Sequence, residues 1–432
     1  MIEDRKKIVI LGGGVGGLAA ARHFDRLIRG RHDVEVTLVS RDNFFLLSPL
    51  LFEACSGVLE LRHCAQPIRP CLRRVHFVEG TVERVDVERR AIRVNIAEGD
   101  ARELTFDHVV IALGATTNVS VIPGSEHART FKTTGDGLML RNHLIERLER
   151  ADVETNPERR KKLLTVIVIG GGLVGAELLG ELSAFVQDEL RYYPNISSAD
   201  LSFHLFEAGP RLIPEAKQFL ADYAARILGR RGAQLHTSTP VAGIEPGLVR
   251  WKDGALEADT IVLAPGIVPS AVASAIEVQR DRKGRIMTDS TLRSISHENV
   301  WSFGDCAATP APGGGIYPAL AQHAVRAART VARNVIATLD RREATPFVFE
   351  ALGTMAAFGH TRAAAEVRGL ELTGFIAWWM RRTYYLFQMP RWDTRLRIAL
   401  DWTVALMSRP SLTKIDLAQE REQEGRNFPA GR

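Results

Sequence analysis

The sequence predicts an α/β fold with two parallel-sheet domains and a pair of C-terminal helices. Three observations predict it. A glycine signature occurs twice: Gly12-Gly13-Gly14-Val15-Gly16-Gly17 and Gly170-Gly171-Gly172-Leu173-Val174-Gly175. Each copy comes straight off an apolar run, Lys7-Ile8-Val9-Ile10-Leu11 or Leu164-Thr165-Val166-Ile167-Val168-Ile169, and opens an Ala/Leu-rich helical pattern. Residues 374–407 then read as Trp/Tyr/Arg-rich amphipathic helices.

The elements follow in order. A strand over 7–11, a helix over about 15–29 and a strand over 34–40 open the chain. Further strands follow at 75–78 and 91–96. The unit then reaches Phe106-Asp107-His108-Val109-Val110-Ile111-Ala112-Leu113-Gly114, a buried strand ending in small residues that let backbone approach a ligand. The second unit repeats the plan: strand 164–169, helix 173–190, strand 201–207, then Asp259-Thr260-Ile261-Val262-Leu263-Ala264-Pro265-Gly266. One charged helical stretch, 136–162, joins the two. After Val300-Trp301-Ser302-Phe303-Gly304-Asp305-Cys306, Pro318 is expected to open a helix to about Leu339, with proline in its first turn. The last twenty or so residues are polar and expected to fray.

At 432 residues the chain calls for two or three domains. Its 45% hydrophobic and 25% charged content is ordinary for a globular protein. The net charge of +5 is mildly basic, with no dense Lys/Arg block that would point to nucleic acid. The four cysteines, Cys55, Cys64, Cys71 and Cys306, form no CxxC pair and are expected to be buried structural thiols. The first strand begins close to Met1, so no leader is expected, and the compartment is expected to be reducing. No run reaches the ~18 apolar residues of a membrane span; 260–276 is broken by Pro265 and Pro269. No metal cluster is suggested.

The glycine signatures carry the chemistry. One glycine makes the tight turn, one lets a pyrophosphate approach, and one lets helix pack on strand. Gly12, Gly14 and Gly17 are expected to hold the pyrophosphate of FAD at a helix N-terminus. Ala112 and Gly114 complete the strand end beside it. The usual ribose carboxylate is missing after this copy. The strand ends at Ser40-Arg41, where Ser40 either binds a ribose hydroxyl or is an ordinary strand-end serine. Gly170, Gly172 and Gly175, with Gly266, are expected to hold a second dinucleotide. There the carboxylate is present: Glu207 accepts from both ribose hydroxyls and repels a 2′-phosphate, which favours NADH over NADPH. Gly304-Asp305 is the third cofactor element, with the Asp accepting from a ribitol hydroxyl. Two dinucleotides imply electrons passing between them.

With these residues in hand, the chain resembles the two-dinucleotide-binding-domain flavoproteins over about residues 5–410, and within them the type II NADH:quinone oxidoreductases. Phe44-Phe45-Leu46-Leu47-Ser48-Pro49-Leu50-Leu51-Phe52 is similar to the family's aromatic-rich segment beside the flavin, which places Pro49 there. Gly175-Ala176-Glu177-Leu178 resembles its G-V-E-L, whose Glu lies near the nicotinamide and quinone sites. Ala321-Gln322-His323-Ala324-Val325-Arg326 resembles its A-Q-x-A-x-Q quinone motif, with Arg326 where a second Gln is usual. By residue pattern alone, Glu177 could face solvent, Glu181 could be its partner or a surface residue, and Gln322 could be a solvent-facing polar residue. Ala319, Ala321 and Ala324 suggest that this helix packs on something flat, such as an isoalloxazine.

The resemblance implies a FAD domain over 1–125 and 290–372, an NADH domain over 126–289, and membrane-associating helices with a polar tail over 373–432. It implies hydride transfer from NADH to FAD and then two electrons to a quinone without proton pumping, with Glu177, Gln322 and Arg326 in the catalytic site. Water, His323 and Glu177 are the proton candidates. The chain would sit peripherally on the cytoplasmic side of the cell membrane, and a homodimer is compatible with that placement. In the C-terminal pattern, Arg381 and Arg382 beside Trp378, Trp379, Tyr384 and Tyr385 are expected to snorkel at the headgroups. Trp392, Leu396, Ala399, Leu400, Leu406 and Met407 form one helix face, opposite Asp393, Arg397 and Asp401. Three other readings stay open: a reductase with another acceptor, a sulfide:quinone oxidoreductase-like enzyme, and a non-catalytic redox sensor.

Overall fold

The computed structural model describes residues 5–96, 99–408 and 412–414; most of the expected polar tail lies outside the described residues. The elements that position the candidate sites are, in chain order, β1 (Lys6–Leu11), α1 (Val15–Leu27), β2 (Val34–Ser40), α2 (Leu51–Cys55), β3 (His76–Glu79), β4 (His108–Ile111), β5 (Arg129–Thr130), α3 (Thr134–Val153) and β6 (Thr165–Ile169). Then come α4 (Leu173–Glu189), β7 (Ser202–Phe206), α5 (Gln218–Arg230), β8 (Ala233–His236), β9 (Thr260–Leu263), β10 (Val300–Ser302), α6 (Ala321–Leu339), β11 (Gly353–Ala357), β12 (Ala363–Val367), β13 (Leu370–Thr373), α7 (Gly374–Gln388) and α8 (Trp392–Met407).

The chain forms two compact units. The first comprises Met1–Leu47, Ala65–Thr116 and Ile267–Leu352; the second comprises Ser48–Cys64, Thr117–Gly266 and Gly353–Arg432. This division differs from the expected domain bounds. Residues 48–64, 117–125 and 353–372 belong with the second glycine signature, and 267–289 with the first.

The first unit is built on a five-stranded sheet ordered β10-β4-β1-β2-β3. Its strand pairs are parallel, with Ile10 between Leu38 and Val110 in register. A parallel sheet is covered on both faces, which is why Ile8, Val9, Ile10 and Leu11 form an unbroken apolar run and are all buried. α1 buries Gly16, Gly17, Ala20 and Ala21. It packs on α6, which buries Ala324, Ala327, Ala328 and Val331. Small residues on both helices permit that close approach.

The second unit carries a sheet of the same plan, β5-β9-β6-β7-β8, also parallel, with Val168 between Leu205 and Val262. A three-stranded antiparallel sheet, β11-β12-β13, leads into α7, and Ala357, Ala363, Ala365, Ala377 and Trp378 form its core.

Two elements depart from expectation. The charged stretch 136–162 is two helices. α3 starts at a capping box made by Thr133 and Asp136, and a second helix, Pro157–Leu163, starts at Asn156, whose side chain accepts from two backbone amides. The helix after Pro318 begins at Ala321, so proline lies outside it.

Candidate functional site: two glycine turns and a buried charge cluster

In the first unit, the turn after β1 is steric necessity. Gly12 has φ +104°, and a Cβ there would stand 2.3 Å from the Ala112 carbonyl oxygen. A Cβ on Gly17 would stand 1.7 Å from the Gly12 oxygen, so α1 could not seat on β1 with any other residue. Gly14 is different: it caps α1, and a Cβ there would meet nothing within 4 Å. No side chain caps α1 and its first turn holds no acid, so its leading amides and positive dipole end fit an anionic diphosphate. Ser40 is buried at the end of β2, and its hydroxyl borders Gly13; Arg41 is exposed and pairs with Asp42 at 3.0 Å. Ala112, Gly114, Gly304 and Asp305 are half-buried, the last two in a short turn of 3-10 helix.

The second unit repeats this geometry. Gly170 has φ +109° and would drive a Cβ to 2.2 Å from the Ala264 oxygen; Gly175 would meet the Gly170 oxygen at 1.8 Å. Glu207 stands at the end of β7. Its carboxylate accepts from the Gly171 amide at 2.7 Å and the Gly209 amide at 2.7 Å, so it is held at the glycine turn and is no loose surface acid. Glu215 was not anticipated: it accepts from the Leu173 amide at 2.6 Å, on the first turn of α4. An anionic diphosphate on that helix end would displace it. Gly266 is exposed, with φ +102°.

On α6, Gln322 is half-buried and accepts from the Leu352 amide at 3.4 Å. His323 is buried. Its Nδ1 donates to the Pro318 carbonyl at 2.9 Å, and its ring packs with Tyr317 and Phe349. Arg326 is exposed and lies over the Phe349 ring at 5.6 Å. Ala324 is buried as expected of a close-packed face, whereas Ala319 and Ala321 are exposed.

The largest departure from expectation is in the second unit. Arg381 and Arg382 do not reach outward from α7: Arg381 is 1% exposed and Arg382 7%. Arg381 donates to Glu177 at 3.0 Å, to Glu53 at 3.4 Å and to the Pro49 carbonyl at 2.9 Å. Arg382 pairs with Glu53 at 3.1 Å and stacks on Trp378 and Trp402. Trp402, from α8, donates its indole N–H to Glu53 at 2.7 Å. Burying a guanidinium is tolerated only with a close carboxylate, and here the partners come from α2 and α4. Glu177 also accepts from the Ala357 amide at 2.8 Å and is buried, so the solvent-facing reading of it does not hold. Burial is the strongest influence on its carboxyl and pushes it up, with Arg381 pulling the other way. Glu181 is also buried, and no ion pair to it occurs among the described residues. Burial and the charge of Glu53 push its carboxyl up. Sequence reasoning missed Glu53; the signal was an acid inside the apolar run Leu50–Cys55.

The outer side of the two C-terminal helices is apolar. Phe375, Ile376, Trp379 and Phe387 on α7 are exposed, as are Trp392 (76%), Leu396, Leu400, Val404 and Met407 (85%) on α8. Asp401, on the other side of α8, bonds His63 Nδ1 at 2.5 Å. No helix among the described residues is long and apolar enough to cross a membrane. Three thiols are buried as expected, with burial pushing Cys55 and Cys64 up to about 12; Cys71 is only half-buried, in a surface turn. The described residues contain no group of three or more His, Cys, Asp or Glu that could hold a metal.

Comparison with known proteins agrees with this architecture. The profile of the family described as "Pyridine nucleotide-disulphide oxidoreductase" matches residues 6–328. The type II NADH:quinone oxidoreductase Ndh of Mycobacterium tuberculosis is 29% identical over 95% of this chain and 91% of its own length. The demethylphylloquinone reductase NdbB of Synechocystis is 27% identical over 93% of this chain and 96% of its own. The solved structure of Plasmodium falciparum NDH2 in complex with NADH shares the fold, with a TM-score of 0.87 at 20% identity, covering 95% of this chain and all of that one. The chain therefore belongs to the pyridine nucleotide-disulphide oxidoreductase family, as an enzyme related along nearly its whole length to the type II NADH:quinone oxidoreductases.

Proposed function

We propose that the protein passes two electrons from NADH through FAD to a membrane quinone, without proton pumping. One observation carries this reading: two glycine turns of matching geometry, each at the end of the central strand of its own parallel sheet. Gly12, Gly14, Gly17, Ser40, Ala112, Gly114 and Asp305 would hold FAD in the first unit. Gly170, Gly172, Gly175 and Glu207 would hold NADH in the second. FAD, when bound, accepts a hydride and hands on two electrons. The residues bind and orient, which is what hydride transfer chiefly needs. Glu207 gives the preference for NADH, since a 2′-phosphate would meet its charge.

The quinone acceptor is supported by relatives of both names above and by the Gln322 motif. Glu177, Gln322 and Arg326 would serve the acceptor half-reaction, and the apolar faces of α7 and α8 would seat the protein on a lipid surface. The anchor of this reading is the aromatic and aliphatic outer side, since Arg381 and Arg382 are committed to the interior.

The test is anaerobic. The protein purified with FAD should be bleached by NADH and reoxidised by a ubiquinone or menaquinone analogue. Bleaching by sulfide and not by NADH would favour the sulfide:quinone reading, and bleaching without reoxidation by any acceptor would favour a sensor.

A further inference from the structure

The two glycine turns share one backbone and differ in what lies on them. Gly14 and Gly172, which cap α1 and α4, have φ −66° and ψ −174° in the first and φ −67° and ψ −174° in the second. A Cβ on Gly14 would meet nothing within 4 Å, whereas one on Gly172 would meet Glu215 Oε1 at 3.3 Å and Oε2 at 3.8 Å. Glu215 Oε1 accepts from the Leu173 amide at 2.6 Å. Among the described residues, no carboxylate bonds the leading amides of α1. The helix end that would take the diphosphate of FAD is therefore open, and the one that would take the diphosphate of NADH already carries an anion.

Glu215 comes from the loop between β7 and α5, in the same unit as α4, and that loop is pinned to the glycine turn. The Ile213 amide donates to the Gly171 carbonyl at 2.8 Å, and the Ile213 side chain is buried. Ile213 has φ +47°, a left-handed conformation that a β-branched residue keeps only where its surroundings hold it. The Arg211 guanidinium donates to the carbonyls of Pro214 and Ala216 at 2.8 and 2.9 Å. The backbone is thus fixed on both sides of residue 215, while Glu215 itself is exposed. Rotation of this one side chain takes its carboxylate off the Leu173 amide and into water.

We propose that Glu215 is an internal competitor for the dinucleotide: its carboxylate sits in the diphosphate seat of the empty site, leaves when NADH binds, and returns as NAD+ departs. This role rests on the NADH reading above and adds to it a control on affinity. The Leu173 amide has one hydrogen to give, and the carboxylate and a phosphate oxygen both seek it and repel each other. The apparent Kd is the intrinsic one divided by the fraction of molecules whose seat is open, so Glu215 weakens binding by that factor. NADH and NAD+ carry the same diphosphate and are weakened alike. A ligand that has the adenine and ribose without phosphates does not compete with Glu215 at all.

The experiment follows NADH oxidation by ferricyanide in the FAD-loaded protein and measures two competitive inhibitors: ADP-ribose, which carries the diphosphate, and adenosine, which does not. Glu215→Gln keeps the length of the side chain and removes its charge. The inhibition constant of ADP-ribose should fall about five- to tenfold, the size of an exposed charged contact at a helix end, while that of adenosine stays within about twofold. KM for NADH should fall with the ADP-ribose constant, and kcat should not rise, because NAD+ is then held more tightly as well. Glu215→Ala should act in the same direction on both inhibitors. An ADP-ribose constant that is unchanged or raised in both variants overturns the proposal. So does an adenosine constant that falls as far as that of ADP-ribose, since the change would then lie in the loop and not in the competing charge. The NADH reading fails separately: if ADP-ribose does not inhibit the unmutated protein, that reading falls and this proposal with it, whereas inhibition that neither variant alters overturns this proposal alone.

Discussion

Replacing Arg381 by Met is the sharpest test of the buried cluster. The side chain is 1% exposed, and its guanidinium bonds Glu177, the Pro49 carbonyl and Glu53 at 3.0, 2.9 and 3.4 Å. Met fills much of the volume, so the cost is the stranding of Glu177 and the lost bond to Pro49. Removing one partner of a buried ion pair costs about 3–5 kcal/mol. At roughly 2–4 °C per kcal/mol for a domain of this size, the melting temperature at neutral pH should drop by roughly 6–20 °C. The deficit depends on pH, and its sign can be worked out. Burial already pushes the Glu177 carboxyl above its usual 4.5, and losing Arg381 pushes it further. A carboxyl raised in the folded state contributes stability at low pH and loses it as pH rises through the folded value. The variant should therefore be least impaired near the ordinary carboxylate range and progressively worse above it. Glu177→Gln added to Arg381→Met should recover about 2 kcal/mol, because the uncompensated charge is gone and the amide oxygen can still accept from Ala357. Circular dichroism melts across that pH range are sufficient. An Arg381→Met melt within 2 °C of the parent, flat with pH, would refute the ion-pair account of Glu177.

Two further outcomes follow from the sites. Glu207→Gln replaces an acceptor pair by an amide that can accept at only one atom, facing the Gly171 and Gly209 amides; kcat/KM for NADH should fall by roughly tenfold and the preference over NADPH should narrow, measured with ferricyanide as acceptor. Trp379→Glu with Leu400→Glu places charges on the apolar outer side of α7 and α8. Losing about 3 kcal/mol of burial should weaken sedimentation with liposomes by roughly a hundredfold while NADH oxidation by a soluble acceptor persists, and undiminished sedimentation would put the lipid contact elsewhere.

The glycine turns, the strands before them and the helices after them were legible because their causes are local. Gly12 and Gly170 need a backbone conformation other residues resist, and a strand buried on both faces must be continuously apolar. Glu207 was legible for the same reason: it is the acid at the end of the second strand of its repeat. The exposed apolar stripe of α8 could be read from its helical period.

Only the tertiary structure decided the rest. Arg381 finds Glu53 from 328 positions away, and no helical period reports such a partner. The pattern put both arginines beside aromatics, which suits a headgroup interface as well as a buried stack; burial against Glu53 and Glu177 resolves it. Glu181 reads in sequence as a polar position on an apolar helix, and only the fold buries it and brings the Ser56 hydroxyl to it at 2.6 Å. Pro318 suits a first helical turn by its fixed φ, yet the helix starts at Ala321, where the His323 bond to the Pro318 carbonyl holds the approach outside it. The grouping of residues 48–64 with the C-terminal helices has the same origin, since charges buried together must neutralise one another whatever their separation along the chain.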